Sequence, residues 1–469
     1  MTMIFKDSGS FRDSKGHVYG VGEKIYRTIL PPGVKDYEFV KATGLYNSLA
    51  ASGKVIEATE VDLGTLPELS SSAVYLLEHP KIPFISYPYE WSFQALKSAA
   101  LLHLDIQIEA LNADIVLSDA SAYNIQFIGS QPIFIDALSF CQYQDGAFWT
   151  AHNQFCEQFL NPLLLQSLLG IIHNPWYRGS LEGIPTNDLA RLLPLKKKLS
   201  WNVLTHVTLQ AAFQNKAQDK KNVADSMHKR KLPKASYLGM LRSLHKWISK
   251  LQPLDQQNST WANYDDNNSY NSIEVDKKES FIRQFVKTVQ PQVLWDIGCN
   301  NGHYVNISLD AGAQSAIGFD FDHMALNLAF ERSIAKKLNF LPLFMDAANQ
   351  APNQGWQAGE RKGIKERASA DALLNLAFAH HMIISKNIPM DQFIDWLLEF
   401  AGQGIVEFVP KNDPMVQELL LLREDIFPDY DLQSFTSLLL EKAEIIDSQK
   451  ITENGRTLIW YKRHGETNV

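Results

Sequence analysis

The C-terminal part of the chain predicts a doubly wound α/β fold. Three observations support this. After Ser280, short apolar runs such as VLWDI, AIGFDF, FLPLFMD, ADALLNLAF and GIVEFV alternate with helix-length segments. This alternation is typical of a parallel sheet covered on both faces. The first run leads into a glycine-rich turn. Two further strand-like segments, AEIIDSQKI and RTLIWYKR, end the chain's pattern and are joined by a loop that contains Asn454 and Gly455. An Asn-Gly pair favours a hairpin, so we predict five parallel strands followed by an antiparallel hairpin, seven strands in all.

The bulk composition is that of a soluble globular protein with more than one domain. The 469 residues are 45% hydrophobic and 20% charged, and this length is too great for one ordinary core. The 44 basic and 52 acidic residues leave a net charge of −8. An acidic balance disfavours non-specific binding to nucleic acid, so we expect no nucleic-acid partner.

Cysteine usage and hydropathy predict a cytoplasmic protein. The three cysteines form no CxxC pair, which favours a reduced compartment. The N-terminal residues lack an apolar segment of signal-peptide length. No run reaches the roughly 18 apolar residues that a membrane helix needs, so we expect no membrane span. The sequence does not predict an oligomeric state.

A polar stretch from Leu251 to Ser280 divides the chain. It is rich in Asn, Asp, Ser and Gln, as connectors are. We therefore predict an N-terminal domain over 1–254, a connector over 255–280 and a C-terminal domain over 281–469.

The turn that follows VLWDI carries the first candidate site. Gly298 and Gly302 allow a tight turn and a close backbone approach to a ligand, and a helix that starts near Gly302 would point its N-terminus at that ligand. The strand is expected to end at Asp296. Asn300 replaces the middle glycine of the dinucleotide fingerprint, so a pyrophosphate-binding role gains no support.

Two more acids end the next two predicted strands. Asp320 ends GFDF, where a carboxylate can accept hydrogen bonds from both hydroxyls of a ribose. Asp346, in FMDAA, ends the third strand and could bind an adenine amino group. Because the carboxyl ends of parallel strands meet at one edge of a sheet, these acids are expected near the glycine turn.

The glycine turn and the three acids resemble motif I, in its DxGxNxG form, and the strand-end acids of class I S-adenosylmethionine-dependent methyltransferases. The resemblance covers roughly 261–463 and implies S-adenosylmethionine as the cofactor. It implies that Asp296 and the backbone from Gly298 through Asn300 to Gly302 hold the methionine part. It also implies that Asp320 holds the ribose and that Asp346 holds the adenine edge. A doubly wound fold that binds nothing remains the alternative.

Enzymes of this type often close the cofactor pocket with the segment before motif I. Tyr264, Tyr270 and Lys278 are therefore candidates for contact with cofactor or substrate. Plain surface packing is the alternative for all three.

Methyl transfer is an in-line displacement that needs a base only if the nucleophile must lose a proton. His380 and His381, in AFAHHMII, are candidates for a base or for positioning the substrate, and a structural role is the alternative. Glu407 lies inside the apolar run IVEFV and is a third catalytic candidate. A buried acid needs a partner, so its alternative is a salt bridge to Lys411 or Arg423.

The N-terminal part has a pattern of its own. Asp119 is followed five residues later by Asn124, and the apolar run PIFID then delivers Asp136. This order resembles the catalytic and metal-binding loops of kinase-fold phosphotransferases, including the aminoglycoside phosphotransferase type, and implies an α+β kinase-like domain. The resemblance implies that Asp119 faces the substrate hydroxyl and that Asn124 and Asp136 bind the magnesium of Mg-ATP. Turn formation by Asp and Asn is the alternative.

The N-terminal part also departs from the kinase pattern. It has no kinase-type glycine-rich loop, only Gly20 and Gly22, and no securely placed lysine on the third strand, where Lys24 and Arg27 are nearest.

Taken whole, the chain resembles bacterial nodulation-associated, host-specificity methyltransferases. The likeness is carried by IPFISYPYEWSF, LSDASAYNIQF, FCEQFLNPLLL, DIGCNNG, HHMII, EFVPKNDP and REDIFPDY. We expect a methyltransferase that acts on a small-molecule or glycan-type acceptor, with the N-terminal domain binding or modifying that substrate. The alternatives are a bifunctional kinase and methyltransferase and a non-catalytic module that binds nucleosides.

Overall fold

The computed structural model describes residues 4–66, 72–211, 231–254, 270–421 and 423–465. The chain divides into two compact units. The first contains Met1–Gln256 and Asn353–Arg361, and the second contains Gln257–Pro352 and Lys362–Val469. Each unit is described by itself.

The first unit contains an antiparallel sheet in the order β1-β2-β3-β5-β4 and two separate strand pairs, β6 with β9 and β7 with β8. Its described strands are β1 (Ile4–Lys6), β2 (Val18–Val21), β3 (Lys24–Ile29), β4 (Thr59–Val61), β5 (Tyr75–Pro80), β6 (Ile115–Leu117), β7 (Ile125–Ile128), β8 (Gln131–Phe134) and β9 (Phe140–Gln142).

Helices account for most of the rest of this unit. The described α-helices are α1 (Pro31–Thr43), α2 (Leu45–Ala51), α3 (Phe93–Asn112), α4 (His152–Phe155), α5 (Asn161–Leu169), α6 (Asn174–Gly179), α7 (Thr186–Leu192), α8 (Leu195–Lys198), α9 (Trp201–Val203) and α10 (Lys234–Ser249). Two π-helical segments, Cys156–Leu160 and Leu204–Thr208, continue α4 and α9.

A hairpin with Gly22 at φ +60° joins β2 to β3. Gly44 adopts φ +70° and ends α1, so α2 begins as a separate helix. The long helix α3 begins where Ser92 accepts a hydrogen bond from the Ala95 N–H. The kinase-like fold itself stays a prediction.

The second unit is built on a seven-stranded, Rossmann-like sheet in the order β12-β11-β10-β13-β14-β16-β15. Its strands are β10 (Val293–Ile297), β11 (Ser315–Asp320), β12 (Phe340–Phe344), β13 (Ala372–Asn375), β14 (Gln403–Phe408), β15 (Ala443–Lys450) and β16 (Thr457–Arg463). The first five are parallel to one another, whereas β16 is antiparallel to both of its neighbours. The prediction of an antiparallel final hairpin is therefore confirmed.

Six α-helices accompany the strands of the second unit in the described part of the chain. They are α11 (Ser272–Val289), α12 (His303–Ala311), α13 (His323–Lys336), α14 (Met390–Phe400), α15 (Pro414–Leu420) and α16 (Leu432–Leu440). The parallel strands are almost wholly apolar and buried, as strands covered on both faces must be. Among the described residues, no helix has the length and apolar character needed to cross a membrane.

Candidate functional site

A cavity of about 370 Å³ lies at the carboxyl ends of strands β10 to β13. Among the predicted site residues, seven line it: Lys278, Gly298, Asn300, Asp320, Asp346, His380 and His381. Four other predicted site residues of the second unit do not line it: Asp296, Gly302, Tyr270 and Glu407. Tyr264 lies outside the described residues. A cavity at this edge of a parallel sheet is the usual ligand position in doubly wound folds.

The turn after β10 forms one wall of the cavity. Three of its residues have positive φ: Gly298 at +91°, Asn300 at +48° and Gly302 at +79°. The Gly298 and Cys299 N–H groups donate to the Phe319 carbonyl, which fixes the turn against β11. The strand ends one residue later than predicted, at Ile297, so Asp296 lies within it.

Asp320 is held at the mouth of this turn by two backbone donors. The Asn300 N–H donates to its Oδ2 over 2.7 Å and the Asp322 N–H donates to its Oδ1 over 2.8 Å. Burial raises the pKa of Asp320 to about 6, although these backbone donors act in the opposite direction. Each carboxylate oxygen keeps a second lone pair for another donor. Asp322 caps α13 by accepting from the Met324 and Ala325 N–H groups.

Asp296 is buried directly behind the glycine turn. Its Oδ1 has no hydrogen-bond partner among the described residues. Burial, with the Asp320 carboxylate adding to it, raises the pKa of Asp296 to about 8. An orphaned carboxyl oxygen in the interior is costly, and a cationic ligand nearby would remove much of that cost. Asp346 lines the cavity beyond β12, and its Oδ1 accepts from the Ala348 N–H.

A buried ion-pair network lies next to the cavity. Lys278 Nζ is 2.7 Å from Glu407 Oε2, and the Tyr270 hydroxyl donates to Glu407 Oε1. Arg456 binds the same hydroxyl oxygen at 2.5 Å and forms a two-point ion pair with Asp413 at 2.7 and 2.9 Å. Two cations thus face two anions, so the network is internally neutral.

The network supplies Glu407 with buried partners from other elements. Burial by itself would raise the pKa of Glu407, but Lys278 and Arg456 more than offset this and hold it below its usual value.

The alternative prediction, a salt bridge from Glu407 to Lys411 or Arg423, was wrong. Lys411 pairs with Asp425, and Arg423 donates to the Ile384 carbonyl and to Asn387. Glu407 is not among the residues that line the cavity, and its two carboxylate oxygens contact Tyr270 and Lys278. Tyr270 likewise belongs to the network, whereas Lys278 belongs to both network and cavity.

His380 and His381 are adjacent rings, 4.2 Å apart between centroids, that face the cavity. Both ring nitrogens of the buried His380 lack a hydrogen-bond partner among the described residues. Burial, with His381 and Arg456 adding to it, lowers the pKa of His380 well below its usual value. Burial and then Arg456 lower the pKa of His381 to about 4. The lowered pKa values make both rings weak bases, which suit hydrogen bonding to a ligand better than proton abstraction.

Arg456 is a cavity residue that the sequence interpretation missed. It follows the Asn454-Gly455 turn and precedes β16, and its side chain is 1% exposed. The turn was recognised, but nothing in the local pattern shows that the next residue points into the sheet interior.

The first unit brings together its three predicted site residues. Asn124 Nδ2 lies 3.1 Å from Asp119 Oδ2 and 3.4 Å from Asp136 Oδ2. The Ser139 hydroxyl lies 2.8 Å from one carboxylate and 2.6 Å from the other. Arg27 on β3 pairs with Asp136 Oδ1 at 2.8 Å. Burial and then Asp136 raise the pKa of Asp119.

The chain is similar along nearly its whole length to a curated protein. Over 458 residues it is 42% identical to nodulation protein NoeA of Rhizobium meliloti (strain 1021), covering 97% of this chain and 96% of that protein. The chain belongs to the NoeA family. No family model matches the sequence.

Solved structures align with parts of this NoeA-family chain. The N-methyltransferase NodS from Bradyrhizobium japonicum WM9, in complex with S-adenosyl-L-homocysteine, is 11% identical, covers 45% of this chain and 95% of its own, and has a TM-score of 0.32. WbdD is 16% identical, covers 47% of each chain, and has a TM-score of 0.30. Alignments with TM-scores this low do not establish function.

Proposed function

We propose that the second unit is an S-adenosylmethionine-dependent methyltransferase. The observation that carries the proposal is Asp320, which is fixed by two backbone donors beside a glycine turn with positive φ angles and opens onto the cavity. A carboxylate in that place is suited to accept both hydroxyls of a ribose.

The residues present fit this cofactor. At Gly298 a Cβ atom would lie 2.8 Å from Phe378 Cδ2, so only glycine leaves this wall open. The orphaned Oδ1 of Asp296 lies behind the same turn, where a positively charged amino-acid moiety would compensate it. We assign Asp320 to the ribose and Asp346 to the adenine edge. We assign Asp296 and the backbone from Gly298 through Asn300 to Gly302 to the methionine part.

When bound, the cofactor supplies an electrophilic methyl group on a sulfonium. The chain's own contribution is to orient the acceptor and to exclude water. His380 and His381 are neutral acceptors or donors at the cavity wall and are assigned to positioning the acceptor. Lys278 lines the cavity while it is held by Glu407, so it presents a fixed positive charge.

We infer a small-molecule or glycan-type acceptor. A cavity of about 370 Å³ suits a compact polar ligand, because its lining includes the charged residues Lys278, Asp320, Asp322, Asp346, Lys386 and Arg456. The chain's acidity disfavours nucleic acid as the acceptor.

The proposal is tested by calorimetric titration of S-adenosylhomocysteine into the whole chain. Asp320→Asn should weaken binding by about tenfold or more, since a charge-assisted hydrogen bond is worth about 1.5–3 kcal/mol. Asp310→Asn, on the exposed end of α12, is the matched control and should leave affinity unchanged. Equal affinities for all three proteins would refute the ribose assignment.

Turnover is tested separately from binding. Labelled S-adenosylmethionine is incubated with native cell extract and the purified chain, with Asp320→Asn as the inactive control. Label on a separable product identifies the acceptor class. Binding without any label would favour the nucleoside-binding module over the enzyme.

A second candidate function is Mg-nucleotide binding or phosphoryl transfer in the first unit. It is favoured by the meeting of Asp119, Asn124 and Asp136, whose oxygen atoms are the kind that magnesium prefers, and by Arg27, whose guanidinium suits phosphate. Binding of ATP to the whole chain should require magnesium and should be lost in Asp136→Asn. S-Adenosylhomocysteine affinity should be unaffected by that change. Absence of magnesium-dependent ATP binding in the unaltered chain would remove this candidate.

A further inference from the structure

Three side chains that none of these functions uses meet in the interior of the first unit. His152 Nε2 lies 3.0 Å from His206 Nδ1 and 3.6 Å from Cys156 Sγ. The three nitrogen and sulfur atoms all lie within 4.8 Å of one another. Two imidazoles and a thiol converging on one point form a donor set that soft and borderline metal ions prefer.

The backbone brings these residues together from two helical segments. His152 and Cys156 are four residues apart at the start of one helical run, so their side chains lie on the same face. His206 comes from a second run, and it lies in the middle of the π-helical segment Leu204–Thr208. Cys156 begins the other π-helical segment of this unit, Cys156–Leu160. π-Helical turns are rare and frequently occur at functional sites, and here each contributes a member of the cluster.

The cluster is largely buried, and aromatic rings pack against it. Cys156 and His206 are buried, at 0% and 6% exposure. Each imidazole can bind a metal ion through a nitrogen lone pair. Trp149 packs beside His152, and Trp247 stacks on His206 with ring centroids 6.0 Å apart. These rings leave the nitrogen and sulfur atoms facing one another.

We propose that His152, Cys156 and His206 form a binding site for a zinc-type divalent metal ion. Zn–N bonds of about 2.05 Å and Zn–S bonds of about 2.3 Å at tetrahedral angles place ligand atoms about 3.4 Å (N to N) and about 3.6 Å (N to S) apart. The Nε2-to-Sγ distance of 3.6 Å matches this geometry, and the Nε2-to-Nδ1 distance of 3.0 Å needs an opening of only a few tenths of an ångström.

Binding has a simple proton balance. The Cys156 thiol loses its proton to solvent as sulfur bonds to the ion, and the neutral imidazoles bind through lone pairs without releasing a proton. The ion drives this ionisation, because a thiol that coordinates a divalent metal ion is deprotonated. Three protein ligands leave one tetrahedral position for water. The ion would join two helical segments that lie about 50 residues apart in sequence.

The experiment is cobalt and zinc titration of the whole chain after removal of metal with a chelator. Co²⁺ should saturate at one equivalent and give a thiolate-to-cobalt charge-transfer band, and Zn²⁺ should displace it and raise the thermal midpoint. Cys156→Ser should abolish the band. His206→Gln and His152→Gln should each weaken Co²⁺ affinity by more than about tenfold, the loss that even outer-shell changes cause at metal sites.

Cys141→Ser is the matched control, because Cys141 is the other cysteine of this unit and is not part of the cluster. It should keep the band and the affinity. Thermal midpoints measured in chelator show whether each variant is folded, so loss of the band in a folded Cys156→Ser protein supports the site. A band that persists in Cys156→Ser, or an unaltered chain that gives no band with Co²⁺, would overturn the proposal. In the second case the cluster is a hydrogen-bonded histidine pair beside a buried thiol.

Discussion

Lys278 and Glu407 form an ion pair of 2.7 Å in which neither side chain is more than 1% exposed. They lie on α11 and β14, 129 residues apart in sequence. Lys278 also lines the cavity, so the pair ties the helix that precedes the glycine turn to the centre of the sheet. The same contact therefore contributes to stability and to the shape of the candidate cofactor site.

Removing one member of this pair should be strongly destabilising. Glu407→Gln leaves the Lys278 ammonium buried without a counter-charge, and loss of one partner of a buried pair costs about 3–5 kcal/mol. Denaturant unfolding measures the change. Lys411→Met breaks the half-exposed pair with Asp425 instead and should cost less than about 1 kcal/mol. Similar losses of unfolding free energy in the two variants would contradict the expectation that the buried Lys278–Glu407 pair is the more costly one to break.

Asp296 should make the ligand-free protein less stable as pH rises. Its pKa is raised to about 8 in the folded chain, against about 3.9 when unfolded, so the folded state binds the extra proton. The contribution of the Asp296 carboxyl to the free energy of unfolding is fully present below about pH 4 and is lost as pH rises through about 8. Asp296→Asn should therefore be the more stable protein at pH 8, with an advantage that shrinks towards pH 5. Thermal midpoints measured across this pH range test the prediction. The midpoint of the Asp310→Asn control should change with pH in the same way as that of the unaltered protein.

The strands were largely predictable from the sequence because each is a short apolar run with a clear end. VLWDI became β10, and the Asn-Gly loop became the turn between β15 and β16. The glycine turn and Asp320 were also predictable, since positive φ and strand-end acids leave a local signature.

The interior partners were not predictable, because they come from distant parts of the chain. The alternative for Glu407 was a salt bridge to Lys411 or Arg423, but its partners are Lys278 on α11 and Arg456, the residue before β16. The His152, Cys156 and His206 cluster was missed for a related reason. Its members depend on two π-helical segments, and the change from α to π register leaves no periodic signal in the sequence.

Gly298→Ala should damage the cofactor site more than the fold. The added methyl group would lie 2.8 Å from Phe378 at the cavity wall, and a φ of +91° disfavours any residue with a Cβ atom. We expect a loss of about 1–2 kcal/mol in unfolding free energy and a larger, at least about tenfold, loss in S-adenosylhomocysteine affinity. Gly359→Ala is the control, since its nearest neighbour would be 3.7 Å away. A Gly298→Ala protein with unchanged affinity would show that the turn does not approach the ligand closely.

The pH dependence of nucleoside binding should report on Asp320. Its pKa of about 6 means that the carboxyl is mostly protonated at pH 5 and mostly ionised at pH 7. The ionised form is the stronger acceptor for ribose hydroxyls, so adenosine affinity should increase from pH 5 to pH 7 and then level off. Adenosine is the suitable probe because it lacks the amino-acid group whose binding would also depend on Asp296. Calorimetry at four pH values measures this trend. The Asp320→Asn protein should bind adenosine weakly, and its affinity should not change with pH. A pH-independent affinity in the unaltered protein, with the same value in Asp320→Asn, would place the ribose elsewhere in the cavity.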